Sequence, residues 1–307
     1  MGSIREHSTG RTQVLEPEHL VGRAALCALR LDPRYVSGQH AVLRWTGVRW
    51  ELKDLGSRNG TFIDGARVKP AEDHPIRRGA VIAFGTPEER WEIVDDSAPC
   101  AMAVPLDGGE PVLQDGDLLA LPSADDPRAT IYRAPDGSWI LEQPNESPLP
   151  VANLQTFELE GRSWRFCCVE NVPKTSIADP FFEVEVWQVH LTFYVSRDEE
   201  FVRLAMTAGE NTIDMGSRAH NYLLLTLARR RLADAQAGFA DPACGWIDHD
   251  ELAHDPTMAP PQLNIDVFRI RRQFAGAGVL DAVNIVERRT RSRQLRLGTG
   301  RISIEQL

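Results

Sequence analysis

The stretch Asp54-Leu55-Gly56-Ser57-Arg58-Asn59-Gly60-Thr61-Phe62-Ile63-Asp64-Gly65 is the part of the sequence that indicates fold and function most directly. It is rich in turn-forming residues and lies between two runs that favour β-strands, so it predicts a connecting loop. Asn59-Gly60 favours a turn with positive φ, which can direct neighbouring side chains to one side. Those side chains are a hydroxyl, a guanidinium and a carboxamide. Polar groups on a loop between rigid strands are a common arrangement for binding.

Two upstream motifs carry complementary chemistry. Gly22-Arg23 supplies a second guanidinium, and Ser37-Gly38-Gln39-His40 supplies a hydroxyl and a histidine. Guanidinium groups bind oxygen-rich dianions through charge-assisted hydrogen bonds, and hydroxyl and amide groups add neutral donors. The motifs between positions 22 and 65 therefore suit a phosphate group.

The order of these motifs resembles a known family. Gly-Arg, Ser-x-x-His and Ser-x-Asn-Gly-Thr, followed by Asp-Gly, resemble the forkhead-associated (FHA) domain, a β-sandwich module that binds phosphothreonine peptides. The resemblance implies that Arg23, Ser37 and Arg58 contact the phosphate. It implies that Asn59 contacts the peptide backbone. A degenerate FHA sandwich that no longer binds is the alternative.

The same resemblance assigns framework roles to Gly22, His40 and Gly60, and it implies that the histidine braces the loops without touching the ligand. Gly38 departs from the family pattern, in which a side chain that bonds the peptide backbone is common at this position. This departure affects the expected affinity and orientation of the peptide, while phosphate recognition does not require that side chain.

The pattern of strands and turns divides the chain into several domains. Short β-favouring runs continue from about Thr12 to Asp96 without a helical period, which predicts an all-β sandwich. A second β-rich region, a proline-containing linker and a region with helical periods follow. The predicted boundaries are a flexible tail at 1–12, the FHA sandwich at 13–97, a β-rich middle domain at 98–172, a linker at 173–181 and an α+β domain at 182–307.

The middle domain allows two interpretations. Its runs at 129–133 and 137–142 resemble the pattern at 41–45 and 47–52, so a degenerate FHA-like repeat is one interpretation. The region lacks Gly-Arg, Ser-x-x-His and Asn-Gly-Thr, so a repeated fold would not repeat the phosphate site. The other interpretation, which we favour, is a structural β spacer.

Three helices and a terminal hairpin are predicted at the C-terminal end. The helices are expected at 217–235, from Asp248 and at 264–274, and strands at 283–289 and 294–297 form an arginine-rich hairpin. This order, after a small opening sheet, resembles the winged helix-turn-helix output domain of bacterial response regulators, whose third helix enters the major groove. The resemblance implies DNA contacts from the third helix and the hairpin: Arg269, Arg271, Arg272, Arg288, Arg289, Arg291 and Arg293.

Charge is distributed unevenly along the chain. The whole chain has a net charge of −10, but residues 262–307 contain nine arginines and four acidic residues and carry +5, so the rest carries −15. A basic segment of this kind indicates contact with phosphates, so double-stranded DNA is a predicted partner. The acidic remainder is able to shield the basic end within the same chain.

Several classes of protein have no support in the sequence. There is no run of eighteen apolar residues and no secretory leader pattern, so a cytoplasmic protein without a membrane partner is expected. The five cysteines form no Cys-x-x-Cys pair, and no phosphate-binding loop, nucleophile motif or zinc motif occurs. We therefore expect no enzymatic activity, no metal and no cofactor.

These inferences lead to two main hypotheses. In the first, the protein is a bacterial transcriptional regulator whose FHA domain reads a phosphothreonine on a Ser/Thr kinase or its substrate and whose winged helix binds DNA, with homodimer formation as one means of coupling. In the second, it is a phosphopeptide-binding signalling adaptor whose winged helix binds protein. A third hypothesis is a kinase or phosphatase accessory with a vestigial DNA domain. The arginines of the third helix and the hairpin distinguish the first two hypotheses, because an adaptor has no evident need for them.

Overall fold

The structure is a computed structural model that describes residues 1–134, 136–143, 146–169, 184–252, 260–289 and 292–307. Contacts between residues divide the chain into two compact units. Unit 1 comprises Met1–Leu113 and Ala152–Thr175, and unit 2 comprises Gln114–Val151 and Ser176–Leu307. The predicted linker at 173–181 lies outside the described residues. Within the described ranges, no helix has the length and apolar character needed to cross a membrane.

The first eleven strands of unit 1 form two sheets that face each other as a sandwich. Their bounds are β1 Ser3–Glu6, β2 Thr12–Val14, β3 Glu18–Gly22, β4 Leu29–Arg30, β5 Ala41–Trp45, β6 Trp50–Asp54, β7 Thr61–Ile63, β8 Ala66–Arg67, β9 Asp73–Ile76, β10 Val81–Phe84 and β11 Arg90–Asp95. One sheet has the strand order β2-β1-β11-β10-β7-β8, and the other has the order β4-β3-β5-β6-β9. The predicted all-β sandwich is confirmed.

The core of the sandwich follows from the alternation of side chains along each strand. In β6, Trp50, Leu52 and Asp54 are buried, and the residues between them are partly exposed. Trp50 and Leu52 pack in one cluster with Ile82 and Ile93 of the opposite sheet. Full burial of each such aliphatic side chain contributes about 1.5–3 kcal/mol. The result is a rigid scaffold whose loops can hold side chains in fixed positions.

The prediction of a flexible tail at 1–12 is wrong. Strand β1 pairs with both β11 and β2, and Ile4 lies opposite Ile93 with its side chain fully buried. Only one apolar residue marks this strand in the sequence, and its main pairing partner lies at the far end of the sandwich sequence. A local pattern could not reveal that pairing.

The region predicted as one middle domain forms two sheets. Its strands are β12 Met102–Pro105, β13 Val112–Leu113, β14 Leu118–Pro122, β15 Pro127–Arg133, β16 Trp139–Glu142, β17 Leu149–Pro150, β18 Thr156–Leu159 and β19 Arg162–Cys167. The sheet β13-β12-β19-β18 belongs to unit 1, and the sheet β14-β15-β16-β17 belongs to unit 2. The β-rich character is as predicted, but contacts divide the stretch 98–172 between the two units.

The remainder of unit 2 combines two further sheets with three α-helices. The elements are β20 His190–Val195, β21 Val202–Ala208, β22 Asn211–Ser217, α1 Asn221–Gln236, β23 Ile247–Asp248, α2 His249–Leu252, α3 Pro260–Gly276, β24 Val286–Arg289, β25 Gln294–Leu297 and β26 Ile302–Gln306. Short 3-10 helices occur at Val186–Gln188, Asp241–Ala243 and Ala282–Ile285. One sheet has the order β22-β21-β20-β26, and the other has the order β23-β25-β24.

Two details of this region differ from expectation. The first helix begins at Asn221 and not at Ser217, because Ser217 completes β22 and pairs with Arg203. The last strand, β26, lies parallel to β20, the first strand of the region. This closing contact joins the two ends of the α+β part and has no local signal in the sequence.

Candidate functional site

Backbone hydrogen bonds connect three loop segments at one end of the sandwich. The N–H of Arg23 donates to the carbonyl of Ser37 at 3.0 Å, and the N–H of Ala24 donates to the carbonyl of Gly38 at 2.9 Å. The N–H of Leu55 donates to the carbonyl of His40 at 2.9 Å. The loops after β3, before β5 and after β6 are therefore held against one another.

Gly22 permits this close approach. A Cβ atom at this position would lie 2.3 Å from the carbonyl oxygen of Gly38 and 3.0 Å from the backbone nitrogen of His40. Both obstacles are backbone atoms, which cannot move aside as a flexible side chain can. Any residue larger than glycine would separate the loop that carries Arg23 from the loop that carries Ser37.

His40 connects two of the loops from beneath. Its side chain is fully buried, its Nδ1 accepts the N–H of Ser37 at 3.0 Å, and its Nε2 lies 3.1 Å from the carbonyl oxygen of Gly60. Because Nδ1 accepts a hydrogen bond, the proton of the neutral ring belongs on Nε2, where it donates to Gly60. Burial lowers the pKa of His40, which favours this neutral form, although the bond to Gly60 acts in the opposite direction.

Asp54 organises the loop that follows it, a role that the sequence did not reveal. Its fully buried carboxylate accepts the N–H groups of Gly56 and Ser57 at 2.9 and 2.8 Å. It also accepts the hydroxyl groups of Ser57 and Thr61, each at 2.6 Å. Burial raises the pKa of Asp54, but these hydrogen bonds outweigh it and hold the pKa below its usual range. The sequence feature that could have indicated this role is an aspartate placed three residues before a serine.

The predicted ligand-contacting residues are brought together by this frame. Ser37 Oγ accepts the N–H of Arg58 at 3.1 Å, so the two residues lie side by side. Asn59 Nδ2 donates to the carbonyl of Tyr35 at 2.8 Å, which fixes the orientation of its amide. Arg23 and Arg58 are both exposed. In the part of the chain that the structure describes, neither guanidinium lies within salt-bridge distance of a carboxylate.

A third cation lies beside these residues. The guanidinium of Arg67, in β8, is so close to Gly60 that a Cβ there would lie 2.3 Å from its Nε. Gly60 itself has a φ of +89°, a conformation that favours glycine, and its N–H donates to Ser57 Oγ at 2.9 Å. Arg67 follows the predicted motif by only a few residues, but its pairing through β7 was needed to identify it as a neighbour.

The seven arginines predicted to contact DNA have different environments. Arg269 and Arg293 are exposed, and Arg291 lies outside the described residues. Arg272 is half exposed and pairs with Asp115 at 2.6 Å. Arg289 is exposed, and its guanidinium lies 4.0 Å from the centre of the Trp246 ring.

Arg271 and Arg288, both predicted to contact DNA, are largely buried. Arg271 is 3% exposed, and its Nη1 donates to Glu142 Oε2 at 3.1 Å. The side chain of Arg288 is 17% exposed, and its Nε lies 3.0 Å from Glu142 Oε1. Helical periodicity distinguishes the core-facing side of α3 from the other sides. It could not show that a second side is covered by a distant β-strand.

Comparison with known proteins agrees with the geometry of the loop site. The family model of the FHA domain matches residues 19–85. This part of the chain is an FHA domain. Over 66 residues, the chain is 44% identical to the FHA domain-containing protein FhaB of Mycolicibacterium smegmatis and 42% identical to FhaB of Mycobacterium tuberculosis. The match covers 22% of this chain and 41% and 43% of those proteins, so the chain spans less than half of the length of these curated relatives.

Solved structures are also similar to part of the chain. One comes from a study of phosphothreonine-dependent FHA domain interactions, with 29% identity, coverage of 30% of this chain and 93% of that chain, and a TM-score of 0.27. Another is Mycobacterium tuberculosis EmbR in complex with a low affinity phosphopeptide, with 23% identity, coverage of 32% and 25%, and a TM-score of 0.29.

The role of Asp54 is testable by substitution. We expect Asp54→Ala to lower the free energy of opening of the sandwich by about 3 kcal/mol, because it leaves buried N–H and hydroxyl donors without an acceptor. Native-state hydrogen exchange of β5 and β6 in the full-length protein measures this change. Asp32→Ala, which removes an exposed aspartate, serves as the control and should change the value by less than about 0.5 kcal/mol. Equal values for the two variants would contradict the assigned role.

The same residue predicts a pH dependence. Because folding lowers the pKa of Asp54, its contribution to stability is fully present above its unfolded pKa, about 3.9, and is lost as the pH falls through the folded value. The difference in opening free energy between the native protein and Asp54→Ala should therefore be constant near neutral pH and decrease below about pH 4. A difference that grew on acidification would contradict this prediction.

Proposed function

We propose that this protein is a phosphothreonine-dependent transcriptional regulator, in which the FHA domain reads a phosphothreonine and the α+β part of unit 2 binds double-stranded DNA. The observation that carries the first half is the group formed by Arg23, Ser37 and Arg58, which lie together on loops that buried polar residues hold in place. Two exposed guanidiniums and a hydroxyl match the charge and the acceptor oxygens of a phosphate.

The hydrogen bonds within the site leave its ligand-binding atoms available. Because Ser37 Oγ accepts the N–H of Arg58, its own hydroxyl proton remains free to donate to a phosphate oxygen. Because Asn59 uses Nδ2 to bond Tyr35, its Oδ1 remains able to accept an N–H from a peptide backbone. The guanidinium groups supply charge, the hydroxyl supplies a short neutral contact, and the amide fixes the direction of the peptide.

The second half of the proposal rests on the arrangement of helices and strands at the C-terminal end. Helices α1, α2 and α3 are followed by the hairpin β24–β25, and the short strand β23 before α2 pairs with β25. This order of elements supports the proposal of a winged helix, in which α3 would enter the major groove and the hairpin would contact the adjacent backbone. Exposed arginines on both elements, Arg269, Arg272, Arg289 and Arg293, provide contacts to phosphates.

The alternative is a phosphopeptide-binding adaptor whose winged helix binds protein. The burial of Arg271 and Arg288 against Glu142 favours it, because two of the basic side chains serve an internal contact in this structure. The exposed arginines of α3 and the hairpin favour DNA binding. We give DNA binding precedence because those arginines lie on the two elements that a winged helix uses.

Further parts of the proposal follow from the same reasoning. A phosphothreonine is made by a Ser/Thr kinase, so the proposed partner is a kinase or its phosphorylated substrate. We propose that the protein acts in the cytoplasm, that it has no enzymatic activity of its own, and that homodimer formation is one means by which phosphopeptide binding changes DNA occupancy.

Phosphopeptide binding is tested with a degenerate peptide library that carries a fixed phosphothreonine. We expect the full-length protein to retain the library, and Arg23→Ala or Ser37→Ala to weaken its affinity about 10- to 100-fold, because each removes a hydrogen bond to a charged group. Arg30→Ala, which removes an exposed arginine of β4, is the matched control. Equal retention of the unphosphorylated library, or no retention of the phosphorylated one, would contradict the proposal.

DNA binding is tested by fluorescence anisotropy with a random-sequence duplex over a series of salt concentrations. We expect the affinity to fall as salt rises, and Arg269→Ala or Arg293→Ala to reduce the slope of the log–log plot by about one each, because each loses one phosphate contact. Arg197→Ala, in the turn between β20 and β21, is the control. If no duplex binds even at low salt, the adaptor function would replace this one.

A further inference from the structure

The helix α3 is covered on two sides. One side belongs to the hydrophobic core of the α+β part through Leu263, Val267, Ile270 and Phe274. On the other side, Phe268 packs against residues of the sheet β14–β17, which we term the covering sheet: Leu118, Ala120 and Tyr132. Phe268 is 3% exposed. The covering sheet thus packs on a side of α3 that lies outside the hydrophobic core of the α+β part.

Charge complementarity concentrates at this contact. Glu142 of the covering sheet is 5% exposed and lies between Arg271 and Arg288. Its Oε2 lies 3.1 Å from Arg271 Nη1, and its Oε1 lies 3.0 Å from Arg288 Nε. Burial raises the pKa of Glu142, but the attraction of the two arginines outweighs it and lowers the pKa, so the carboxylate is charged. At the edge of the contact, Asp115 pairs with Arg272 at 2.6 Å. Glu142 and Asp115 thus pair with three of the arginines for which the sequence predicts contacts to DNA.

The contact is incompletely satisfied. The Nε of Arg271 is buried and has no hydrogen-bond partner among the described residues, and the Nε of Arg288 lies 3.0 Å from Glu142 Oε1 without the geometry of a hydrogen bond. A void of about 10 Å³ remains between the covering sheet and α3, lined by residues that include Thr130, Glu142, Asn264 and Arg288. Buried donors without acceptors destabilise the state that contains them, and two guanidiniums share one carboxylate. These features make the closed contact less stable than one in which every buried donor is bonded.

We propose that the covering sheet is an intramolecular, acidic occupant of the DNA-binding face of α3 and β24, and that it competes with DNA for Arg271, Arg272 and Arg288. This inference rests on the DNA-binding function proposed above. Phosphate oxygens replace the oxygens of Glu142 and Asp115, since both form charge-assisted bonds with guanidinium groups. Binding of DNA and packing of the sheet exclude each other, so each weakens the other by the same factor.

The test uses full-length protein, a random-sequence duplex and hydrogen exchange. Glu142→Gln keeps the shape of the side chain and removes its charge, so we expect faster exchange in 263–275 and an affinity for duplex raised about tenfold or more. Asp115→Asn removes the exposed peripheral pair, cannot leave a buried charge without its partner, and should give a smaller change in the same direction. In the native protein, added duplex should speed exchange in 118–133.

Two controls make the comparison specific. Asp125→Asn makes the same charge change in the exposed turn between β14 and β15 and should alter neither measurement. Exchange in β20, β21 and β22 shows whether Glu142→Gln has kept the fold of the α+β part. If that variant unfolds, Asp115→Asn and the exchange response of the native protein to duplex still decide the question.

The outcomes separate this proposal from the function on which it rests. Unchanged exchange and affinity in both variants, with duplex bound, overturn the competition and leave DNA binding intact. Faster exchange without tighter binding shows that the covering sheet separates from α3 without obstructing DNA, and it also overturns the competition. Failure of every protein to bind duplex at low salt overturns the DNA-binding function and this proposal together.

Discussion

A carboxylate without exposed surface must find donors for both of its oxygens, and at Asp54 this requirement shapes the loop that carries the candidate phosphate site. Four hydrogen bonds from Gly56, Ser57 and Thr61 make the chain turn around the carboxylate. That turn brings Ser57 Oγ to the N–H of Gly60, and Arg58 and Asn59 then remain exposed at its outer edge. His40 completes the frame from the opposite side through Ser37 and Gly60. The exposed side chains of the candidate site therefore owe their positions to buried polar groups.

The extent to which the sequence predicted this arrangement depends on the distance between partners along the chain. Asp54 bonds residues no more than seven positions away, so the loop, its turn and its exposed polar side chains were predictable from 54–65. The strand β1 was not predictable, because Ile4 pairs with Ile93 across the whole sandwich sequence. The burial of Arg271 was not predictable for the same reason, since its partner Glu142 lies 129 positions away. Periodicity and turn chemistry report local geometry, while the covering of a helix face by a distant strand leaves no local pattern.

Two of the buried carboxylates among the described residues, Asp54 and Glu142, solve the same physical problem with different partners. Asp54 is satisfied by neutral amides and hydroxyls that belong to its own loop, so nothing outside the sandwich can replace them. Glu142 is satisfied by two guanidiniums on α3 and β24, and any other anion of suitable shape offers those guanidiniums equivalent oxygens. The first arrangement suits a rigid binding site. The second suits a contact whose partners can be exchanged, because the desolvation of its charges costs free energy that better partners would recover.

Chain connectivity limits how the second contact can open. The covering sheet is formed by Gln114–Val151, which the chain enters directly from β13 and leaves directly toward β18, both strands of unit 1. The covering sheet and α3 belong to the same chain and the same compact unit, so the local concentration of Glu142 near α3 is high and the closed contact re-forms readily after each opening. A competing polyanion must therefore bind these arginines more strongly than the intramolecular carboxylates do. A dilute, weakly bound duplex would not meet this condition.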